Sequence, residues 1–131
     1  MVSDTIGDFI IRIKNAGVMH KATVTAPYSK LRQAIADKLV AAGYLSDVAV
    51  QGDGAQKTLT VTLRYTETGD HAVRGVKRLS KPGRRQYAKV ADIHPVKFGH
   101  GHVILSTPAG ILTGEEARAQ HMGGEQLFMI W

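Results

Sequence analysis

A chain of 131 residues with 44% hydrophobic composition can bury a core as one compact unit or as two small packed lobes. It has no cysteine, which excludes disulfides, thiolate zinc sites and cysteine nucleophiles, and its few aromatics argue against a surface built mainly on base-stacking platforms. The formal charge of +6 points to a polyanionic partner.

From Asp4 the spacing Ile6, Phe9, Ile10, Ile13 is helical. It predicts an amphipathic helix over 5–16 with Asp4 as N-cap and Gly17 as stop. Thr23 to Pro27 reads as a short strand. Ser29 caps a second helix that gathers Leu31, Ala34, Ile35, Lys38, Leu39 and Ala42 on one side and ends at Gly43. Tyr44 to Val50 and Lys57 to Tyr65 form a hairpin across Gly52-Asp-Gly54, because Leu59, Val61, Leu63 and Tyr65 alternate with Thr58, Thr60, Thr62 and Arg64. Residues 1–67 thus predict an α/β lobe, helix-strand-helix-strand-strand.

Beyond Glu67-Thr-Gly-Asp70 the periodicity changes. Val73 to Leu79 and Arg85 to Val90 flank Ser80-Lys-Pro-Gly83, where proline then glycine suit the centre of a type II turn. His102 to Ser106 leads into the turn Thr107-Pro-Ala-Gly110 and returns through Ile111-Leu112. Gly114 to Met122 predicts a short helix with Glu115 and Glu116 in its first turn, where the dipole favours acids, closed by Gly123. Gln126 to Trp131 reads as a strand. Residues 71–131 predict a mainly β lobe with one short helix, so the fold class is α+β, with the two lobes packed together.

Charge separates the lobes too. Residues 1–70 carry 8 Lys/Arg against 7 Asp/Glu, and residues 71–131 carry 9 against 4. Between Arg74 and Lys97, eight basic side chains face only Asp92. Such a run is either a solvated surface or a phosphate-binding one.

Six histidines raise the question of catalysis. His100 and His102 share a face if extended and His94 is near, so a small histidine-dependent metalloenzyme is the alternative reading. No third ligand has regular spacing, Ser106 and Thr107 lack a nucleophile elbow or a paired base, and Gly99-His-Gly101 lacks the third glycine and following helix of a dinucleotide site. RNA binding accounts for more: lysine and arginine supply phosphate contacts, and small hydroxyls in a glycine turn can reach base edges and ribose 2′-hydroxyls. Taken alone, Ser106-Thr107 also fits an ordinary turn with hydroxyls bonded to its own backbone.

Five collinear blocks bear on the choice. Asp4-x-Ile6-x-Asp8-x-Ile-x-Arg12-Ile-Lys-Asn15-Ala16, Ser29-Lys30-Leu31, Ser80-Lys-Pro-Gly83-x-Arg85-x-Tyr87, Gly99-x-Gly101 followed by Ser106-Thr107-x-x-Gly110-Ile-Leu-Thr113, and Gly123-Gly124-Glu125 together closely resemble bacterial ribosomal protein eight of the small subunit. The resemblance covers essentially the whole chain. It implies a non-enzymatic constituent of the cytoplasmic ribosome, without cofactor, metal or membrane. Its expected role is to bind the central domain of 16S ribosomal RNA as a primary binder, aid assembly, touch neighbouring proteins such as proteins five and twelve, and in many members repress its own messenger RNA. Carried over by position, Ser106 and Thr107 are hydroxyl readers and Gly110 the close-approach turn residue. Gly123, Gly124 and Glu125 shape the adjoining surface, and Tyr87, Lys81, Arg84 and Arg85 lie along the RNA backbone. Arg12, Asn15 and Lys30 mark a second surface on the first lobe.

The chain departs from that pattern in three places. Pro108 and Ala109 stand where many members have a serine and a lysine, removing a hydroxyl and a phosphate-directed charge. His100 and His102 replace an aliphatic pair. Gly114-Glu115-Glu116 replaces polar or basic positions, so these glutamates are expected to cap the helix or meet a protein.

Overall fold

The computed structural model describes residues 5–93 and 101–131. Its contacts divide the chain into two compact units, residues 8–74, and residues 75–131 with the first residues of the N-terminal helix, 5–7. The expected N-cap Asp4 lies outside the described residues.

In the first unit the helices α1 (Thr5–Val18) and α2 (Lys30–Ala41) accompany the strands β1 (Thr23–Pro27), β2 (Leu45–Gln51) and β3 (Thr58–Leu63). The sheet is antiparallel in the order β1-β3-β2. The alternation read in β3 is real: Leu59, Val61 and Leu63 are buried and the threonines between them less so. Ser29 caps α2 by accepting the Arg32 N–H at 3.1 Å. That helix buries Ile35, Ala36 and Leu39, whereas Leu31, expected on the apolar stripe, is exposed. Leu31 sits in the first turn, one full turn ahead of the buried residues.

Gly17 does not stop α1. The helix runs through it to Val18 and ends on His20, whose φ of 55° is left-handed. The Lys21 N–H then donates to the Ala16 carbonyl at 2.9 Å and the His20 N–H to that of Gly17 at 3.1 Å, a Schellman closure. Gly17 answers a different need: a Cβ there would lie 1.6 Å from the His71 ring.

The second unit holds β4 (Val76–Arg78), β5 (Tyr87–Ala88), β6 (His102–Thr107), β7 (Gly110–Thr113), α3 (Gly114–Ala119) and β8 (Gly124–Ile130). Its sheet runs β4-β8-β6-β7, with β5 also on β8. One face carries Ala88, Val103, Leu105 and Leu112 with Ile93 and Ala117, covered partly by Leu79, Met129 and Trp131. Ile104, Phe128 and Ile130 are buried on the other.

The segments on either side of the Lys81–Arg84 turn do not pair with each other as strands. Both pair with β8, at Phe128–Ile130 and at Gly124–Glu125. Between these stretches β8 bulges at Leu127, where the register against β6 shifts. The Leu127 carbonyl accepts from the Leu79 N–H, the Ser80 N–H and the Arg78 guanidinium. The bulge thereby releases residues 79–86 from the sheet edge as a projecting loop. Fully buried Ser80 closes its neck, accepting the Gln86 N–H at 2.8 Å and donating to the Gln86 carbonyl at 3.3 Å.

At the loop tip Lys81 and Arg84 exchange two backbone bonds of 2.8 and 2.9 Å. Gly83 lacks the positive φ that a type II turn requires, so the expected turn type is not the one formed. A Cβ at Gly83 would meet nothing within 4 Å. Gly83→Ala is therefore expected to hold or raise the melting temperature, by about 0.4–1 kcal/mol of reduced unfolded-state entropy. A lowered melting temperature by circular dichroism would contradict this backbone conformation.

The third helix is shorter than expected, ending at Ala119 and closing on left-handed His121 rather than Gly123. Met122 N–H donates to the Ala117 carbonyl at 2.8 Å, repeating the closure of α1. At its start Thr113 and Glu116 form a reciprocal capping box, so of the two glutamates expected to cap the helix or meet a protein, Glu116 caps it. No described helix is long and apolar enough to cross a membrane.

Candidate nucleic-acid interface

The register of the second sheet sets the site. Glu125 of β8 pairs with Tyr87 of β5 on one side and with Ser106 of β6 on the other. Directly paired residues share a face, so Tyr87, Glu125 and Ser106 form one row across three strands. That row lies in a groove of about 570 Å³ lined also by Lys89, Thr107, Pro108, Gly123 and Gly124. The groove therefore unites three of the blocks singled out in the sequence.

Close backbone approach forms its walls. A Cβ on Gly124 would lie 2.3 Å from the Ser106 carbonyl oxygen, and one on Gly123 would lie 2.4 Å from that of Ala88. The pair is thus a packing requirement, not a helix stop.

The two hydroxyls of the turn are unequal. Thr107 Oγ1 donates to the Gly110 carbonyl at 2.8 Å and accepts the Ala109 N–H at 3.2 Å, locking the turn and leaving only acceptor capacity. Gly110 has φ 114°, in the region that favours glycine. No hydrogen bond among the described residues engages the Ser106 hydroxyl, so it can both donate and accept.

Positive charge lies in the groove at Lys89 and on the loop that leads into β5. Lys81, Arg84 and Arg85 are exposed on the projecting loop. Arg85 Nη1 donates to both Glu125 oxygens, at 3.2 and 3.3 Å. Tyr87 is 73% exposed, its ring open to a partner. Lys89 was not singled out from the sequence, although the signal was there: two residues past Tyr87 on an extended segment, it faces the same way. It lines the same groove as Pro108 and adds a positive charge there.

Arg12 and Asn15 belong to the other unit. They line a separate groove of about 410 Å³ with Met19, Lys21, Thr23 and Thr25. Arg12 Nε pairs with Asp8 at 3.0 Å and its Nη1 donates to the Thr25 carbonyl at 3.4 Å, tying α1 to β1. Lys30, exposed at the start of α2, does not line that groove.

Of the proposed metal ligands, His94 and His100 lie outside the described residues. His102 Nε2 is 4.0 Å from Glu115 Oε2, and no group of three or more metal-ligating side chains occurs among the described residues.

Comparison with known proteins identifies the family. Residues 4–131 match the family described as ribosomal protein S8. The chain is similar to the small ribosomal subunit protein uS8 of Roseiflexus castenholzii, 45% identical over 130 residues, and to that of Chloroflexus aggregans, 46% identical over 131. It is also similar to that of Leuconostoc citreum, 39% identical over 130 residues. Each comparison covers 99% of this chain and 98% of the relative. The chain belongs to the ribosomal protein S8 family.

Proposed function

We propose that this chain is a primary binder of the central domain of small-subunit ribosomal RNA, reading it with the groove between Tyr87, Glu125 and Ser106. As a member of its family it is a structural protein of the small ribosomal subunit in the cytoplasm, not an enzyme. The observation that carries the finer reading is the union, in one groove, of an exposed Tyr87 ring, the Lys89 side chain and a Ser106 hydroxyl without a hydrogen-bond partner among the described residues.

Each part has a physical task. Lys81, Arg84, Arg85 and Lys89 attract the backbone and release counterions without reading sequence. Ser106 supplies a donor and an acceptor to a base edge or ribose 2′-hydroxyl, which distinguishes RNA from DNA. Tyr87 offers a stacking face. Thr107 and Gly110 hold the turn in shape, while Gly123 and Gly124 hold its strand close. The groove at Arg12 and Asn15 provides a second surface toward RNA or a neighbour such as protein five or twelve, Lys30 adds a separate exposed charge on the same unit, and binding of its own messenger RNA would use the first groove.

The test is a titration of a central-domain fragment against an unrelated RNA of equal length. The fragment should bind more tightly, and equal affinities would end this reading. Ser106→Ala should weaken the fragment about fivefold, the equivalent of one hydrogen bond near 1 kcal/mol, and leave the unrelated RNA unaffected. Its salt slope should stay unchanged, because a hydroxyl displaces no counterion.

A further inference from the structure

A carboxylate in the centre of an RNA-binding face is unexpected, since it repels phosphate. Glu125 sits there all the same, mid-row between Tyr87 and Ser106. Its side chain is 12% exposed, whereas that of Arg85 is 59% exposed. The glutamate is the fixed partner, held on a strand bonded on both sides. The arginine is the long, solvated one.

We infer that Glu125 is a positioning residue that grips Arg85 and aims it across the groove, an inference that rests on the RNA-binding reading above. Both carboxylate oxygens take the same nitrogen, Nη1, at 3.2 and 3.3 Å. A guanidinium has five N–H donors in a rigid plane, so Nε and Nη2 keep theirs while Nη1 is anchored. An exposed arginine otherwise loses rotamer freedom on binding. Gripping it beforehand moves part of that cost from binding to folding. The negative charge lowers general attraction for RNA and raises selectivity for an RNA whose phosphate lies where Arg85 points. Lysine could not serve, because its ammonium has no second set of donors in a fixed plane.

The experiment measures affinities of the full chain for the central-domain fragment and for an unrelated RNA of equal length, with thermal melts to show that each variant is folded. Glu125→Gln should weaken the fragment up to about fivefold, the scale of an exposed ion pair, and leave the unrelated RNA bound as well or better. In an Arg85→Ala background Glu125→Gln should cost the fragment nothing more, since a positioning residue has nothing left to position. Arg85→Lys, which keeps the charge and leaves the strand untouched, should restore only part of what Arg85→Ala loses, because it keeps the attraction and not the aim. Tighter binding of both RNAs to Glu125→Gln, additive losses in the double variant, or fragment binding of Arg85→Lys at the parent's level would each overturn the inference. A parent protein that fails to discriminate between the RNAs removes the proposed function first, and this inference with it.

Discussion

Gly124→Ala is expected to lower stability by about 3 kcal/mol, the upper end of the cost of overpacking, and to abolish selective RNA binding. The added Cβ would lie 2.3 Å from the Ser106 carbonyl oxygen and 3.0 Å from Thr107 Cγ2. A flexible side chain could swing away from such a clash. A carbonyl in the β6–β8 ladder cannot turn without breaking pairing at the Ser106–Glu125 position. Strand β6 must therefore separate from β8 just where it enters the Ser106–Thr107 turn, and the Tyr87–Glu125–Ser106 row comes apart. Gly123→Ala should act similarly against the Ala88 carbonyl at 2.4 Å, on the Tyr87 side. Gly83→Ala, a glycine exchange in the same unit without a close neighbour, is the control. Melting by circular dichroism should place Gly124→Ala about 10 °C below it, at several degrees per kcal/mol for a chain of this size. Equal melting points would show that the two strands do not approach so closely.

Features governed by neighbours in sequence were legible. The Ser29 cap, the alternation in Thr58–Leu63 and the Thr107–Gly110 turn depend on local residue types at fixed spacing. The resemblance singled out Tyr87, Ser106, Thr107 and Glu125, which the fold brings to one groove, though not the difference between the two hydroxyls. Ser106 and Thr107 look alike as adjacent hydroxyls, and only the turn geometry gives Thr107 to the backbone and leaves Ser106 available. Glycines misled for a physical reason: a glycine near a helix end signals either a left-handed residue or a close approach, and the second needs a partner from elsewhere in the chain. Gly17 meets His71 and Gly123 meets Ala88, so both are packing glycines, and His20 and His121 take the left-handed positions instead. The Leu127 bulge, the buried Ser80 pin and the Arg85–Glu125 pair escaped notice because each joins segments whose register no local pattern specifies.

Gly17→Ala should destabilise the first unit and also change how its stability depends on pH. In an exposed helix interior the exchange would stabilise by about 0.8–1 kcal/mol. Here the new Cβ would fall 1.6 Å from His71 Nδ1, so the ring must leave, at a cost of about 1–3 kcal/mol that outweighs the propensity gain. The ring sits 5.5 Å from that of Tyr65, centroid to centroid, and Tyr65 in turn stacks with His20 and donates its hydroxyl to the Lys21 carbonyl. Both ring nitrogens of His71 are cut off from solvent without a hydrogen-bond partner among the described residues. Burial, and secondarily the charge of His20, hold its pKa below the ordinary 6.5. The unfolded chain then binds a proton more readily than the folded one, so stability rises with pH between the lowered value and 6.5 and is lost on acidification through that window. Ordinary carboxylates titrate lower, near pH 4, and the other histidines are common to parent and variant. The parent's melting temperature should therefore fall from pH 7.5 to 5.5 by more than that of His71→Met, which cannot titrate there. Gly17→Ala should melt lower than the parent at pH 7.5 yet lose less on acidification, because an expelled His71 regains water and its ordinary pKa. A Gly17→Ala protein as stable as the parent, or one that keeps the parent's full acid sensitivity, would show that His71 does not pack against the helix at Gly17.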